Sequence, residues 1–188
     1  AQCFGTLGTM FPGRVILGIG TGESLNEVPA TGVKWPEIKE RFARLREAVR
    51  LIRKLWSEEQ VSFEGEFYRT ENATIYDRPD KVPPIYIAGA GPMIAKFSGR
   101  IADGFICTSG KPMELYSEKL LPGVAAGLEA AGRKPDDIDL AIELKVSFHT
   151  DEKRALEDTR HWAALALSPE EKMSVEDPLE MERLAESL

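Results

Sequence analysis

The stretch Arg14-Val-Ile-Leu-Gly-Ile-Gly-Thr-Gly-Glu-Ser-Leu-Asn-Glu27 decides how the rest of this chain is read. Val15-Ile-Leu is a short aliphatic, β-branched run, the signature of a strand buried on both faces. It leads into Gly18, Gly20 and Gly22, so the backbone stays open to close approach. Thr21, Glu23 and Asn26 then supply a hydroxyl, a carboxylate and an amide within a single loop. A buried strand ending in a glycine-rich polar loop is how a parallel barrel or doubly wound sheet presents its active site. A tight strand-to-helix turn with a solvated glutamate has the same pattern, and the residues alone leave both readings open.

Outward from this stretch the same grammar recurs. Residues 1–12 read as the tail of a helix stopped by Pro12-Gly13, and Trp35-Pro36 opens the longest helix. Ile38, Phe42, Leu45, Val49, Ile52 and Leu55 make its apolar face; Arg41, Arg44, Arg46, Glu47, Arg50, Arg53 and Lys54 make its wet side. Residues 61–77 switch to aromatic and β-branched runs around Glu64-Gly-Glu66, an antiparallel hairpin inserted between two αβ units. Ile85-Tyr-Ile-Ala88 is a second buried strand, ending in Gly89-Ala-Gly-Pro92; Gly104-Phe-Ile-Cys-Thr-Ser109 is a third, ending in Thr108-Ser-Gly-Lys111. A helix over 113–131, a fourth strand over 139–148 and a helix over 151–167 follow. Ser168-Pro-Glu-Glu171 and Asp177-Pro-Leu-Glu180 fit capped helix starts.

Strand, polar loop and helix repeated in this way predict an α/β fold with a parallel sheet, whose functional face lies at the carboxyl ends of the strands. A (β/α)8 barrel takes about 250 residues. Four units in 188 residues therefore predict the central part of a TIM barrel, with no domain boundary inside it.

Composition narrows the function. A net charge of -7 argues against nucleic acid or an anionic membrane as partner, and a bound anion would need a local cationic pocket. No apolar run approaches the ~18 residues of a membrane span. Cys3 and Cys107 make no disulfide scaffold, so the cytoplasm is the expected compartment. His149 and His161 stand apart and no metal-binding spacing occurs, so no metal is expected. The start at Ala1-Gln-Cys-Phe has neither an initiator Met nor a basic leader, as in a chain that begins in mid-domain.

Three segments together resemble a known family: Val15 to Glu27, Trp35-Pro-Glu-Ile-Lys-Glu-Arg-Phe-Ala-Arg-Leu-Arg-Glu47, and Gly104 to Lys111. They are similar to the luciferase-like barrel superfamily and, within it, to the deazaflavin-dependent glucose-6-phosphate dehydrogenases. Ser62-Phe-Glu-Gly-Glu-Phe-Tyr-Arg69 and Pro84-Ile-Tyr-Ile-Ala88 are superfamily marks; Thr-Ser-Gly-Lys111 and Ser-Pro-Glu-Glu-Lys172 narrow it to the sugar-phosphate enzymes. The resemblance covers essentially the whole chain and implies one portion of a single luciferase-like TIM-barrel domain. An Asp-His pair and other site residues would then lie in segments this chain does not contain.

The resemblance implies a cytoplasmic homodimer that transfers a hydride from C1 of glucose 6-phosphate to coenzyme F420, giving 6-phosphogluconolactone. Glu23 matches the family's active-site glutamate, and Thr21, Gly22 and Asn26 match cofactor-contacting positions. Ala90-Gly91 stand where the family has a glycine pair; with Met93 and Ile94 they face the cofactor's phosphate tail. Thr108, Lys111 and Lys172 match the residues that hold the sugar phosphate, while Met173 stands where close relatives carry His. The alternatives are another F420- or FMN-dependent luciferase-like oxidoreductase, acting on an alcohol, pterin or aldehyde, and a non-catalytic flavin- or phosphosugar-binding relative.

Overall fold

In a computed structural model, which describes residues 1–175 and 177–186 apart from the side chains of His161, Pro169 and Met173, the chain divides into two compact units. The first comprises Ala1–Thr21 and Ile38–Glu143, the second Gly22–Glu37 and Leu144–Leu188.

The first unit is built on four short strands: β1 (Leu17–Ile19), β4 (Ile85–Ala88), β5 (Gly104–Thr108) and β6 (Asp139–Glu143). They form one parallel sheet in the order β1-β4-β5-β6. Parallel strands need crossovers, supplied here by α3 (Ile38–Ser57), α4 (Pro92–Ile101) and α5 (Leu121–Ala130). Between α3 and β4 the chain makes the antiparallel hairpin of β2 (Val61–Glu64) and β3 (Arg69–Ala73). The α/β class and the parallel sheet are those expected from the sequence.

Leu45, Val49, Ile52 and Leu55 of α3, with Ile85, Ile87, Phe105, Leu120, Val124 and Leu128, form one core, whereas Ile38 at the start of the expected apolar face is exposed. Trp56 is buried in it, and its indole N–H donates to the carbonyl of Ala1 at 2.9 Å, tying down α1 (Gln2–Met10). Helices α4 and α5 approach so closely that a Cβ on Gly127 would stand 2.1 Å from the Lys96 carbonyl oxygen. At the amino ends of the strands Asp103 accepts from the Ile85 N–H at 2.8 Å and from Arg53 at 3.0 Å.

The first unit departs from the sequence reading at four places. β1 is Leu17–Ile19, two residues later than Val15–Leu17, because its register is set by its partner: the Leu17 N–H donates to the Pro84 carbonyl at 2.9 Å. β6 stops at Glu143, although Leu144, Val146 and Phe148 continue its alternation, because β5 ends at Thr108, opposite Glu143. The helix expected over 113–131 opens with a π-helical turn, Leu115–Leu120, before α5. Glu47, placed on the wet side of α3, is buried.

Burial alone would push the Glu47 carboxyl up. It is instead held below the usual carboxylate range by the backbone N–H groups of Tyr68, Phe67 and Glu66 and by nearby Arg50. Those three donors close on its oxygens at 2.7 to 3.1 Å and fix the turn of the β2–β3 hairpin.

The second unit holds α2 (Ser24–Thr31), α6 (Glu152–Glu157), a 3-10 segment (Asp158–Ala166), α7 (Pro169–Ser174) and α8 (Pro178–Ala185). Its smaller core is Leu167, Val175, Met181 and Ala185, with Leu25, Ala163 and Ala164 against it. Where the sequence reads as loop, α2 forms despite Pro29 in its interior, and Gly32 ends that helix in the left-handed region at φ 65°. The helix expected over 151–167 changes to the 3-10 form at Asp158. Trp35-Pro36 precedes α3, which begins at Ile38.

Candidate active site at the carboxyl edge of the sheet

Because β1, β4 and β5 are parallel neighbours, the segments that leave them emerge on one edge of the sheet. Thr21 follows β1; Ala90, Gly91, Met93 and Ile94 follow β4; Thr108 ends β5, with Lys111 just beyond. The first unit thus gathers seven of the predicted residues on the face where α/β folds bind ligands. Gly22, Glu23, Asn26 and Lys172 belong to the second unit.

After β4, Gly91 caps α4 with extended backbone, and Pro92 at the first helical position needs no acceptor. A glycine cap carries no side-chain oxygen, so the next N–H groups, those of Met93 and Ile94, receive nothing from the cap. A Cβ at Gly91 would meet nothing within 4 Å, so the space before those donors is open. This ten-residue helix therefore offers aligned N–H groups and the positive end of its dipole to an anion. Gly89 serves packing instead, since a Cβ there would stand 2.3 Å from Cγ2 of Ile94, which packs against the core. Ala90, where the family has glycine, does not need positive φ; among the described residues only Asn72 and several glycines take it.

After β5 the chain turns through Gly110 at φ 75°, with nothing within 4 Å of where its Cβ would stand. Thr108 and Lys111 are exposed on either side. The turn is held by a residue the sequence reading did not single out. The Tyr116 hydroxyl donates to the Thr108 carbonyl at 2.9 Å and accepts from the Lys111 N–H at 3.1 Å. No spacing rule marks such a tyrosine, because it is brought round by the π-helical turn. Burial pushes the neighbouring Cys107 thiol up, away from the thiolate form.

In the second unit Glu23 is the N-cap of α2, and its carbonyl receives the Asn26 N–H at 3.2 Å and the Glu27 N–H at 3.1 Å. The Asn26 amide donates to Glu23 Oε2 at 3.2 Å, so two predicted residues meet. The carboxylate is exposed, rather than shut into the end of a strand. Gly22 takes φ 77°, in the left-handed region that favours glycine.

Lys172 donates to the Leu165 carbonyl at 2.6 Å. It sits in the last turn of α7, and Ser168 and Glu171 cap that helix reciprocally, so α7 leaves no open N-terminus for an anion. No group of acidic, His and Cys side chains that could hold a metal ion occurs among the described residues. No helix among them is long and apolar enough to cross a membrane.

The family model described as luciferase-like monooxygenase matches residues 1–186. The F420-dependent glucose-6-phosphate dehydrogenase of Nakamurella multipartita is 62% identical over 188 residues, all of this chain and 55% of that protein. The protein of the same name from Kineococcus radiotolerans is 61% identical over all of this chain and 56% of its own length. The chain thus spans about half the length of these curated relatives. Among solved structures, an F420-dependent secondary alcohol dehydrogenase with an F420-acetone adduct matches at TM-score 0.87 and 34% identity, over 100% of this chain and 56% of that one. The coenzyme F420 dependent tetrahydromethanopterin reductase of Methanopyrus kandleri matches at TM-score 0.76 and 26% identity, over 98% of this chain and 57% of its own. The parallel sheet with its crossover helices is a part of the barrel expected from the sequence.

Proposed function

We propose a function from one premise: the chain belongs to the luciferase-like monooxygenase family. The protein containing it is an oxidoreductase that moves a hydride from C1 of glucose 6-phosphate to coenzyme F420, releasing 6-phosphogluconolactone. The observation that carries this reading is the 62% identity, over every residue here, to a relative named for that reaction. The whole chain is then one portion of a single barrel domain. A cytoplasmic homodimer belongs to the same reading, and light scattering on the full-length protein tests the dimer.

The residues present fit such a cofactor. A flat heterocycle with an anionic tail needs an uncrowded backbone and aligned donors, and Gly91, Met93 and Ile94 supply both. When bound, the deazaflavin supplies the hydride acceptor. The family resemblance adds Thr21, Gly22 and Ala90 as further cofactor contacts.

Glu23 is the proton-handling group, and the Asn26 amide orients its carboxylate through the bond to Oε2. Thr108 and Lys111 hold the sugar phosphate from one turn: the hydroxyl supplies a directed hydrogen bond and the ammonium neutralises charge. Lys172 contributes a second cation. In a chain of net charge -7 the anion is held by such placed cations rather than by the overall field.

The test is absorbance. Oxidised deazaflavin mixed with the full-length protein should bleach when glucose 6-phosphate is added. Bleaching by a secondary alcohol and not by the sugar phosphate would replace this reading with the alcohol reading. Binding of the deazaflavin without bleaching by any of these substrates would leave a non-catalytic relative.

A further inference from the structure

We propose that Tyr116 is a positioning residue for phosphate binding, an inference that rests on the reading of Thr108 and Lys111 as the sugar-phosphate contacts. Those two residues are three apart, and the turn between them contains Gly110 at φ 75°. A glycine turn with open space around it has many conformations, and each separates the Thr108 hydroxyl from the Lys111 ammonium differently. One phenol hydroxyl removes that freedom. It donates to the Thr108 carbonyl and accepts from the Lys111 N–H, using both hydrogen-bonding capacities of the oxygen on the two residues in question.

The rest of Tyr116 is suited to this. Its ring is half-buried against the main core beside Leu115, so the hydroxyl is presented from a fixed base. The backbone that carries it is a π-helical turn, in which the Leu121 N–H donates to the Tyr116 carbonyl five residues back. A turn widened by one residue rotates the side chains before it relative to those of α5, and such turns occur preferentially at functional sites. From the other side, the Ser109 N–H donates to the Glu143 carbonyl at 2.9 Å and anchors the middle of the segment to β6. The turn is thus pinned at Thr108, Ser109 and Lys111, and among these bonds those of Tyr116 reach both phosphate contacts. Binding is then tighter because less disorder has to be removed when the anion arrives.

The experiment uses the full-length protein and Tyr116→Phe, which keeps the ring and removes the hydroxyl. Titrations with glucose 6-phosphate and with inorganic phosphate give affinities; steady-state kinetics give KM and kcat with the phosphorylated sugar and with glucose. We expect about tenfold weaker binding of both phosphates and a matching rise in KM, the loss of one or two hydrogen bonds' worth of ordering. The kcat at saturation, the deazaflavin affinity and the KM for glucose should stay within about twofold. Unchanged phosphate affinity in Tyr116→Phe overturns the inference and leaves the functional reading standing. Equal weakening for glucose and its phosphate also overturns it, since the hydroxyl would then be serving stability alone. If the wild-type protein binds neither glucose 6-phosphate nor phosphate, the functional reading fails and takes this inference with it.

Discussion

The β2–β3 hairpin turn and the loop leading from β4 into α4 start from similar sequence: a small or polar run around glycine, Glu-Gly-Glu in one and Gly-Ala-Gly in the other. Each sets backbone N–H groups beside the space that a glycine leaves. In the hairpin that space is filled by the protein itself, for the Glu47 carboxylate takes three N–H groups there. A Cβ on Gly65 would stand 1.9 Å from Glu47 Oε1, whereas one on Gly91 would meet nothing within 4 Å. The hairpin carries its own anion; the cap of α4 carries none. Under the proposed function, the donors at the cap of α4 serve the cofactor.

The two loops should therefore answer substitution in opposite ways, and the largest effect should fall on chemistry. Glu23→Gln keeps size and hydrogen-bonding reach but removes the titrating proton. Turnover in the full-length protein should drop by about 100- to 10,000-fold with deazaflavin affinity little changed. An unchanged rate and pH profile would reduce Glu23 to the cap of α2.

Next comes the contrast between glycines. Gly65→Ala forces the buried Glu47 carboxylate away from its donors or crowds Phe63, whose ring carbon lies 2.8 Å from the new Cβ. We expect a loss of about 1–3 kcal/mol in urea unfolding, the usual cost of overpacking. Gly91→Ala should cost less than about 1 kcal/mol, since its φ of -119° suits alanine, but should weaken deazaflavin binding by about tenfold. Equal stability losses at the two positions would break the comparison.

A pH test sharpens it further. The Glu47 carboxyl is held below its ordinary value in the folded protein, so its stabilisation is present above the unfolded pKa and is lost as pH falls through the folded one. The protection of the Glu66, Phe67 and Tyr68 amides, relative to their exchange in an unfolded chain at the same pH, should hold down to about pH 4, the ordinary carboxylate range, and fall below it. In Glu47→Gln those amides should exchange faster at neutral pH, with no acid step of their own. The smallest effect belongs to the exposed pair Arg44–Glu40 at 2.7 Å. Arg44→Ala should cost about 0.2–1 kcal/mol, the range of surface pairs, because solvent screens it.

Much of the sheet is legible in the sequence, and the reason is local. Ile85 to Ala88 and Gly104 to Thr108 are strands because buried apolar runs flanked by glycine have few other uses. The ends of β1 and β6 are not legible, since each is set by where its partner stops. Glu47 is misplaced by the pattern for a related cause: helical periodicity reports its own helix, whereas its burial comes from a hairpin about 20 residues downstream. Of the residues proposed for the site, Thr108, Lys111, Gly91, Glu23 and Asn26 are named from motif. What motif does not supply is how they are held. Tyr116 emerges only from the π-helical turn, and the pairing of Asn26 with Glu23 only from the helix α2 that Pro29 disguises.

The central claim is that the turn after β5 holds the phosphate of a sugar substrate. Its most direct measurement is the kcat/KM ratio of glucose 6-phosphate to glucose, in the full-length protein and in Lys111→Ala. Truncating one partner of a desolvated charge pair costs roughly 2–5 kcal/mol, so the ratio should fall by about 30-fold or more while the glucose value stays within about twofold. A mutant that keeps the wild-type preference for the phosphorylated sugar would contradict the account.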